Sequence, residues 1–191
     1  PAITIKNHSM FSLTPVFTIA CSTALYTGFF IVNEAFFSGL EFDIGVNWIF
    51  LPAGMRLLCT LLFGLEGAIR LFIAGLIVIH FYFPTFDLIT GIGAAFITAG
   101  APYLIYRLAL TRGLPPSLEK ITPKTLGILI LIYAITSPLL HQLWFALRGF
   151  SPDSLSAFFA MFVGDLLGTL IVVYSIKICL ALLRMKQSTR I

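Results

Sequence analysis

The sequence predicts an all-α fold: a polytopic bundle of about six transmembrane helices that forms a single integral membrane domain over residues 1–191. Two observations support this prediction. Hydrophobic residues make up 59% of the chain and charged residues only 10%, whereas soluble domains carry about 25% charged residues. Apolar stretches close to the ~20 residues that a helix needs to cross a bilayer recur along the chain. We therefore expect no second, soluble domain.

Six hydrophobic segments are the predicted spans. The first, about Phe11–Val32, contains no charged residue and no small-residue cleavage site, so we expect a retained span and not a removed signal peptide. The other five predicted spans are about Trp48–Gly64, Ala68–Phe83, Leu88–Leu108, Leu126–Leu147 and Ala157–Leu183.

Two connections between the spans are informative. Spans two and three are short and are joined only by Leu65–Gly67, so a partly re-entrant hairpin inside the bundle remains open as an alternative. The polar loop Thr111–Thr125 contains Pro115 and Pro116, which prevent a helix from running through it.

The distribution of Lys and Arg predicts the orientation, because cytoplasmic loops carry an excess of these residues. One side collects nine basic residues, and the other collects Arg148 together with most of the acidic residues. This asymmetry favours an even number of spans with both termini in the cytoplasm. Most of the basic residues behind the net charge of +4 lie at span ends, where the positive-inside rule already explains them. We therefore expect no nucleic-acid partner. The nine basic residues are Lys6, Arg70, Arg107, Arg112, Lys120, Lys124, Arg184, Lys186 and Arg190, and the acidic residues opposite are Glu34, Glu41, Asp43, Asp87 and Asp153.

Charges inside the predicted spans mark the first candidate site. Arg56 in span two and Asp165 in span six both lie ~12 Å from the outer ends of their helices, so they are expected to pair. A charge at mid-bilayer costs at least ~2.5–3.5 kcal/mol. Two interpretations remain open: a salt bridge that fixes helix register, or a site open to the outer face where Arg56 meets an anion and Asp165 a cation or proton. His80 and His141, near the outer ends of their spans, are candidate members of this site.

A second candidate is the segment Pro52, Ala53 and Gly54. A helix that starts near Pro52 presents free N–H groups and the positive end of its dipole, which together favour an anion. Arg56 adds a charge one turn deeper, as in the broken helices of transporters. The alternative is an ordinary proline kink in a continuous span.

Cofactor and catalytic sites are not expected. His80 and His141 are the residues that would ligate a haem between two helices, but no motif accompanies them. Gly164 and Gly168 in GDLLG are a small-xxx-small pair that favours close helix packing. The chain has no phosphate-binding loop, no HExxH and no GxSxG, so we expect neither a metal site nor an enzyme.

Two segments carry a family resemblance. WIFLPAGMRLLCTLLFG (Trp48–Gly64) resembles the Trp-x-Pro-Ala-Gly entry of the first bacterial membrane-associated sensor domain, the MASE-type sensor. FVGDLLGTLIVVY (Phe162–Tyr174) is similar to the Gly-Asp-x-x-Gly segment in the last part of that domain. Arg56 departs from the small or apolar residue of the family pattern, and the chain is shorter than the usual eight-span domain.

The resemblance implies a domain that senses a signal at the membrane and passes it to a partner. In that family the output is a fused kinase or cyclic-dinucleotide enzyme. The segment from Leu183 to Ile191 is too short for such a domain, so we expect the signal to pass to another chain.

Together, these patterns predict a six-span, sensor-like protein of the bacterial inner membrane that binds a ligand or partner through the Arg56 and Asp165 region. A structural or accessory subunit of a larger membrane complex and a small carrier for an anionic solute are the alternatives. The expected partners are membrane lipids and another membrane protein or complex.

Overall fold

The computed structural model of the chain describes residues 14–114, 121–150 and 153–188, and it is 85% helical. In this part of the chain, five helices are long and apolar enough to cross a membrane. The helical, membrane-embedded character predicted from the composition is therefore confirmed. Residue Phe11, the Pro115-Pro116 pair and the basic residues Lys6, Lys120 and Arg190 lie outside the described residues.

The elements follow one another as helices interrupted by one small hairpin. They are α1 (Thr14–Phe37), a 3-10 turn (Ser38–Leu40), β1 (Glu41–Asp43), β2 (Val46–Asn47), α2 (Leu51–Tyr82), α3 (Leu88–Thr111), α4 (Pro123–Leu147) and α5 (Ser154–Ser188). Predicted spans four, five and six correspond to α3, α4 and α5, whereas predicted spans two and three both fall within α2.

Helix α2 is broken at Gly64 and folds back on itself. Gly64 has φ 56° and ψ −128°, in the region of positive φ that glycine alone adopts without strain. A Cβ atom on Gly67 would collide with the carbonyl group of Cys59, although these residues would be ~12 Å apart along a straight helix. The two arms, residues 51–63 and 65–82, therefore lie side by side. The break precedes the link predicted at Leu65–Gly67, and those three residues are helical.

Aromatic contacts at one end of the bundle support the same geometry. The ring of Phe30 in α1 lies 6.2 Å from that of Phe50, which precedes α2. It also lies 4.7 Å from the ring of Tyr82 and 5.9 Å from that of Phe83, at the far end of α2. A straight α2 would separate its ends by roughly 45 Å. Both ends of α2 thus lie at one end of the bundle, which we call the hairpin end because β1 and β2 lie there.

The β1–β2 hairpin was not predicted, and it introduces a non-helical segment beside α5. The strands pair antiparallel around Gly45, which has φ 73°. After β2 the chain bends at Trp48 and Ile49 and packs on α5, where the N–H of Phe50 donates to the carbonyl of Gly164 at 3.1 Å. Helix α2 therefore begins at Leu51 and not at Trp48 as predicted.

Gly164 and Gly168 make this packing possible. A Cβ atom on Gly164 would collide with the carbonyl of Asn47, and one on Gly168 with the carbonyl of Phe50. The close backbone approach predicted for this glycine pair is confirmed, but the segment that approaches it is the non-helical stretch 47–50 and not another helix.

The hairpin end is also tied together by polar contacts between α3 and α4. Asp87 caps α3 by accepting a hydrogen bond from the N–H of Thr90. Its carboxylate forms an ion pair of 2.7 Å with Arg148, just after α4, and Arg148 Nε donates to the hydroxyl of Thr90 at 3.0 Å. These contacts fix the heights of α3 and α4, whose central residues surround the candidate site.

Candidate ligand-binding site at the centre of the bundle

Arg56 lies in the interior, on the first arm of α2, and is only 6% exposed. Its Nε and Nη2 atoms donate to the hydroxyl of Tyr26 at 3.1 and 2.8 Å. Its Cζ atom lies 4.8 Å from the ring centroid of Phe50 and 5.6 Å from that of Tyr26. Cation–π contacts of this kind are worth up to ~2 kcal/mol when they are desolvated. The guanidinium is thus fixed in one orientation by neutral groups.

Asp165 lies near Arg56 on α5 and is 1% exposed. The two charges interact electrostatically, but they form no ion pair within 4.0 Å. The hydroxyl of Ser137 on α4 lies beside the carboxylate. The Oδ2 atom of Asp165 has no hydrogen-bond partner among the described residues. Arg56 therefore compensates the charge of Asp165 from a distance and not by contact.

Three buried hydroxyl groups near Asp165 are likewise without a partner among the residues that the structure describes: those of Tyr133, Ser137 and Thr169. Tyr133 and Ser137 are one turn apart on α4, and Thr169 is one turn after Asp165 on α5, so each pair shares a helix face. An unsatisfied buried polar group costs about 1–3 kcal/mol. The α4–α5 contact thus buries a cluster of polar side chains around Asp165, with Ser137 close to both Asp165 and Tyr133.

A cavity of about 50 Å³ lies beside Arg56. All five helices contribute to its wall, and it extends toward the hairpin end, where Gly45 and Phe86 line it. Arg56 is the charged side chain in its lining, while Asp165 is not part of the lining. Its other lining residues include Tyr26, Phe30, Phe50, Phe83, Thr98, His141, Phe145 and Met161.

The two histidines are separated by the fold. His141 is 5% exposed and lines the cavity with Arg56. Its Nδ1 atom donates to the carbonyl of Ser137 at 2.9 Å, because a carbonyl oxygen can only accept. His80 lies on the outer surface, where its ring packs against Phe81. The structure does not bring His80 to Arg56 or to Asp165, and it does not place the two histidines on one haem.

The helix start at Pro52, Ala53 and Gly54 does not form the open anion site that the sequence suggested. Asn33 Oδ1 accepts the N–H of Leu51 at 2.8 Å, and the carbonyl of Phe50 accepts that of Ala53 at 3.1 Å. Proline has no N–H to offer. All three residues are buried. The N–H groups of Leu51 and Ala53 at this helix start therefore donate to protein acceptors. Arg56 is left as the anion-attracting group of the segment.

Several residues of the site were not identified from the sequence, above all Tyr26, Tyr133 and Ser137. One signal was present: Tyr133, Ser137 and His141 follow one another at intervals of four residues and therefore mark a polar face on an apolar helix. Tyr26 gave no such signal, since a tyrosine in a membrane span is commonly read as an interfacial anchor.

Comparison with protein-family models, with curated proteins and with solved structures finds no match. The resemblance to the membrane-associated sensor domain therefore stays a prediction. Among the described residues, no group of three or more His, Cys, Asp or Glu side chains is placed to bind a metal ion. The fold and the site thus define a helical, membrane-embedded protein in which the guanidinium of a buried arginine, Arg56, lines a central cavity.

Proposed function

We propose that this protein is a multi-pass membrane protein that binds an anionic ligand in its central cavity through Arg56, in a sensor-like role and without catalysis. The observation that carries this proposal is the placement of Arg56: it lines the cavity, and neutral groups, not a carboxylate, make its contacts. An arginine at mid-bilayer is costly. A purely structural arginine would be expected to contact its counter-charge.

The position of Asp165 outside the cavity lining supports the same proposal. Asp165 supplies the negative charge that makes a buried guanidinium tolerable, yet it leaves the cavity-facing side of that group accessible. A site with this arrangement attracts an anion without exposing the charge to lipid.

The test compares two buried arginines of α2. The purified protein is melted in mild detergent with a panel of anions, zwitterions and neutral solutes. At one hundred times Kd, a ligand stabilises the folded state by ~2.7 kcal/mol. We expect an anion that raises the melting temperature of the wild type and of Arg70→Gln but not of Arg56→Gln. Arg70 is a matched control, because it is buried, pairs with Glu66 at 3.0 Å and does not line the cavity. Equal stabilisation of Arg56→Gln would contradict the proposal.

We also propose six membrane crossings, with both termini in the cytoplasm of a bacterium and the protein in its inner membrane. The two antiparallel arms of α2 support six crossings over five, although each arm is shorter than the ~20 residues of a typical span. The excess of Lys and Arg at one set of helix ends supports the orientation.

A second candidate function, an accessory subunit of a larger membrane complex, is favoured by the far end of α5. Residues 174–183 are exposed on every side of the helix, and they are apolar except for Ser175 and Lys177. Lipid covers such a helix well, and so does a helix of a partner protein. Stoichiometric co-purification of another membrane protein, lost when this segment is replaced by polyleucine, would support the subunit function. Anion flux into proteoliposomes would instead indicate a carrier.

A further inference from the structure

The cavity beside Arg56 is small. Its volume of about 50 Å³ exceeds the ~10–15 Å³ that one water molecule needs, but it is far below the ~150 Å³ of a protein cavity that binds benzene. The part of a ligand that lies inside this cavity without rearranging the bundle therefore has only a few non-hydrogen atoms. Formate, nitrate and chloride have this size.

The charge of the cavity wall selects the sign and the valence of such a ligand. Arg56 provides one positive charge, and no acidic side chain is among the described residues that line the cavity. Aromatic and aliphatic groups form most of the remaining wall, so the local dielectric constant is low. A divalent anion would leave an uncompensated charge there, which is costly in a protein interior. A monovalent anion matches the single guanidinium.

Asp165 creates a competition for that guanidinium. With Asp165 ionised, Arg56 already has a counter-charge, and a bound anion adds a net negative charge to the interior. If the carboxylate takes up one proton as the anion enters, the sum of the three charges returns to zero. The neutral acid would then be a hydrogen-bond donor, and hydroxyl oxygens without a partner among the described residues lie close to it, including that of Ser137.

We propose that the cavity binds a small monovalent anion and that Asp165 takes up one proton from water as the anion binds. This proposal rests on the ligand-binding function proposed above and names the ligand class of the same site. The charged and titratable groups around Asp165 are Arg56 from α2 and Tyr133 from α4, with Tyr26 from α1 and His141 from α4 around Arg56. His141 is the other group able to take the proton, so the experiment distinguishes the two.

The first measurement uses the wild-type protein in detergent with nitrate and chloride, which do not become protonated themselves. Sodium concentration and ionic strength are held constant with gluconate, which is too large for the cavity. Binding of one anion with one proton makes the apparent Kd about tenfold lower for each unit of pH decrease while Asp165 is ionised in the free protein. In a weakly buffered sample, anion addition should raise the pH by an amount equal to one proton per bound anion.

Variants then assign the proton. Asp165→Asn removes the competing charge, so its anion affinity should no longer change with pH; Arg56→Gln should lose binding, and His141→Gln should retain the tenfold slope. Loss of the slope in His141→Gln with its retention in Asp165→Asn would overturn the assignment to Asp165. Binding of nitrate without proton uptake by the wild type would overturn the coupling, and this measurement needs no variant to fold. If only larger anions bind in an Arg56-dependent way, the proposed function survives and this inference fails.

Discussion

Replacing Arg56 and Asp165 by leucine, singly and together, tests whether the two charges support each other. Arg56→Leu removes both hydrogen bonds to Tyr26 and leaves the carboxylate of Asp165 in the interior without a positive charge. Breaking a buried charge pair by removing one partner costs about 3–5 kcal/mol. The double replacement leaves no buried charge, so we expect it to be less destabilised than Arg56→Leu alone.

The structure bounds the size of this coupling. Two unit charges at 4 Å interact by ~4 kcal/mol at an effective dielectric constant of ~20. Arg56 and Asp165 form no contact within 4.0 Å, so their coupling energy is smaller than that value. We expect a coupling energy of roughly 1–3 kcal/mol, within the range that residues of one network show.

The assay is the free energy of unfolding in mixed micelles with increasing denaturing detergent, followed by the fluorescence of Trp48 and Trp144. The matched control cycle combines Arg70→Leu with Asp165→Leu, which should be additive because Arg70 pairs with Glu66. Additivity of the Arg56 and Asp165 replacements within ~0.5 kcal/mol would refute the reasoning.

Three further predictions concern packing, topology and pH. Gly168→Ala should destabilise the protein by about 1–3 kcal/mol, because its Cβ would collide with a backbone carbonyl, whereas Gly28→Ala, with nothing within 4 Å, should be neutral or stabilising; equal melting temperatures would contradict this. In a background without native cysteines, an impermeant thiol reagent applied from the periplasmic side should label Ser38→Cys but not Lys124→Cys, and the reverse pattern would overturn the orientation. Hydrogen bonds from the side chain and N–H of Thr90, together with Arg148, lower the pKa of Asp87, so its stabilising contribution is present above the unfolded value of ~3.9 and is lost as pH falls through the lower, folded value. Asp87→Asn should therefore flatten the fall in melting temperature below about pH 4, and an unchanged profile would contradict this origin.

Hydrophobicity and length were sufficient to predict the helices, because lipid requires a span to be apolar along its whole length. They did not predict the β1–β2 hairpin, whose strands of three and two residues are too short to show a period. Hydrophobicity and length also placed the link between predicted spans two and three at Leu65–Gly67, which was wrong. The chain turns at Gly64 instead, because a single glycine with positive φ reverses the direction without a loop.

The candidate site was partly predictable for a related reason. Position along a helix is proportional to residue number, so the sequence could suggest that Arg56 and Asp165 lie near each other, but not at what depth. Helix α2 begins at Leu51 and α5 at Ser154, so the two residues are not equally far from their helix starts, contrary to the prediction.

The direction of a side chain around the helix axis depends on which neighbours pack there. This is why His80, at a suitable depth, lies on the outer surface while His141 lines the cavity. The helix start at Pro52 is satisfied by Asn33 Oδ1 in α1 and by the carbonyl of Phe50. A contact between residues of two different helices leaves no local sequence pattern, so the acceptor from Asn33 was not predictable.

The distance between Arg56 and Asp165 argues against a role in stability alone. A buried pair contributes to stability only when good geometry and further hydrogen bonds offset the loss of hydration. Here the carboxylate is not in contact with the guanidinium, and the hydroxyls of Tyr133, Ser137 and Thr169 lack partners among the described residues. A guanidinium that lines a cavity and is not in contact with its carboxylate can instead take an anion as its counter-charge while the carboxylate takes up a proton.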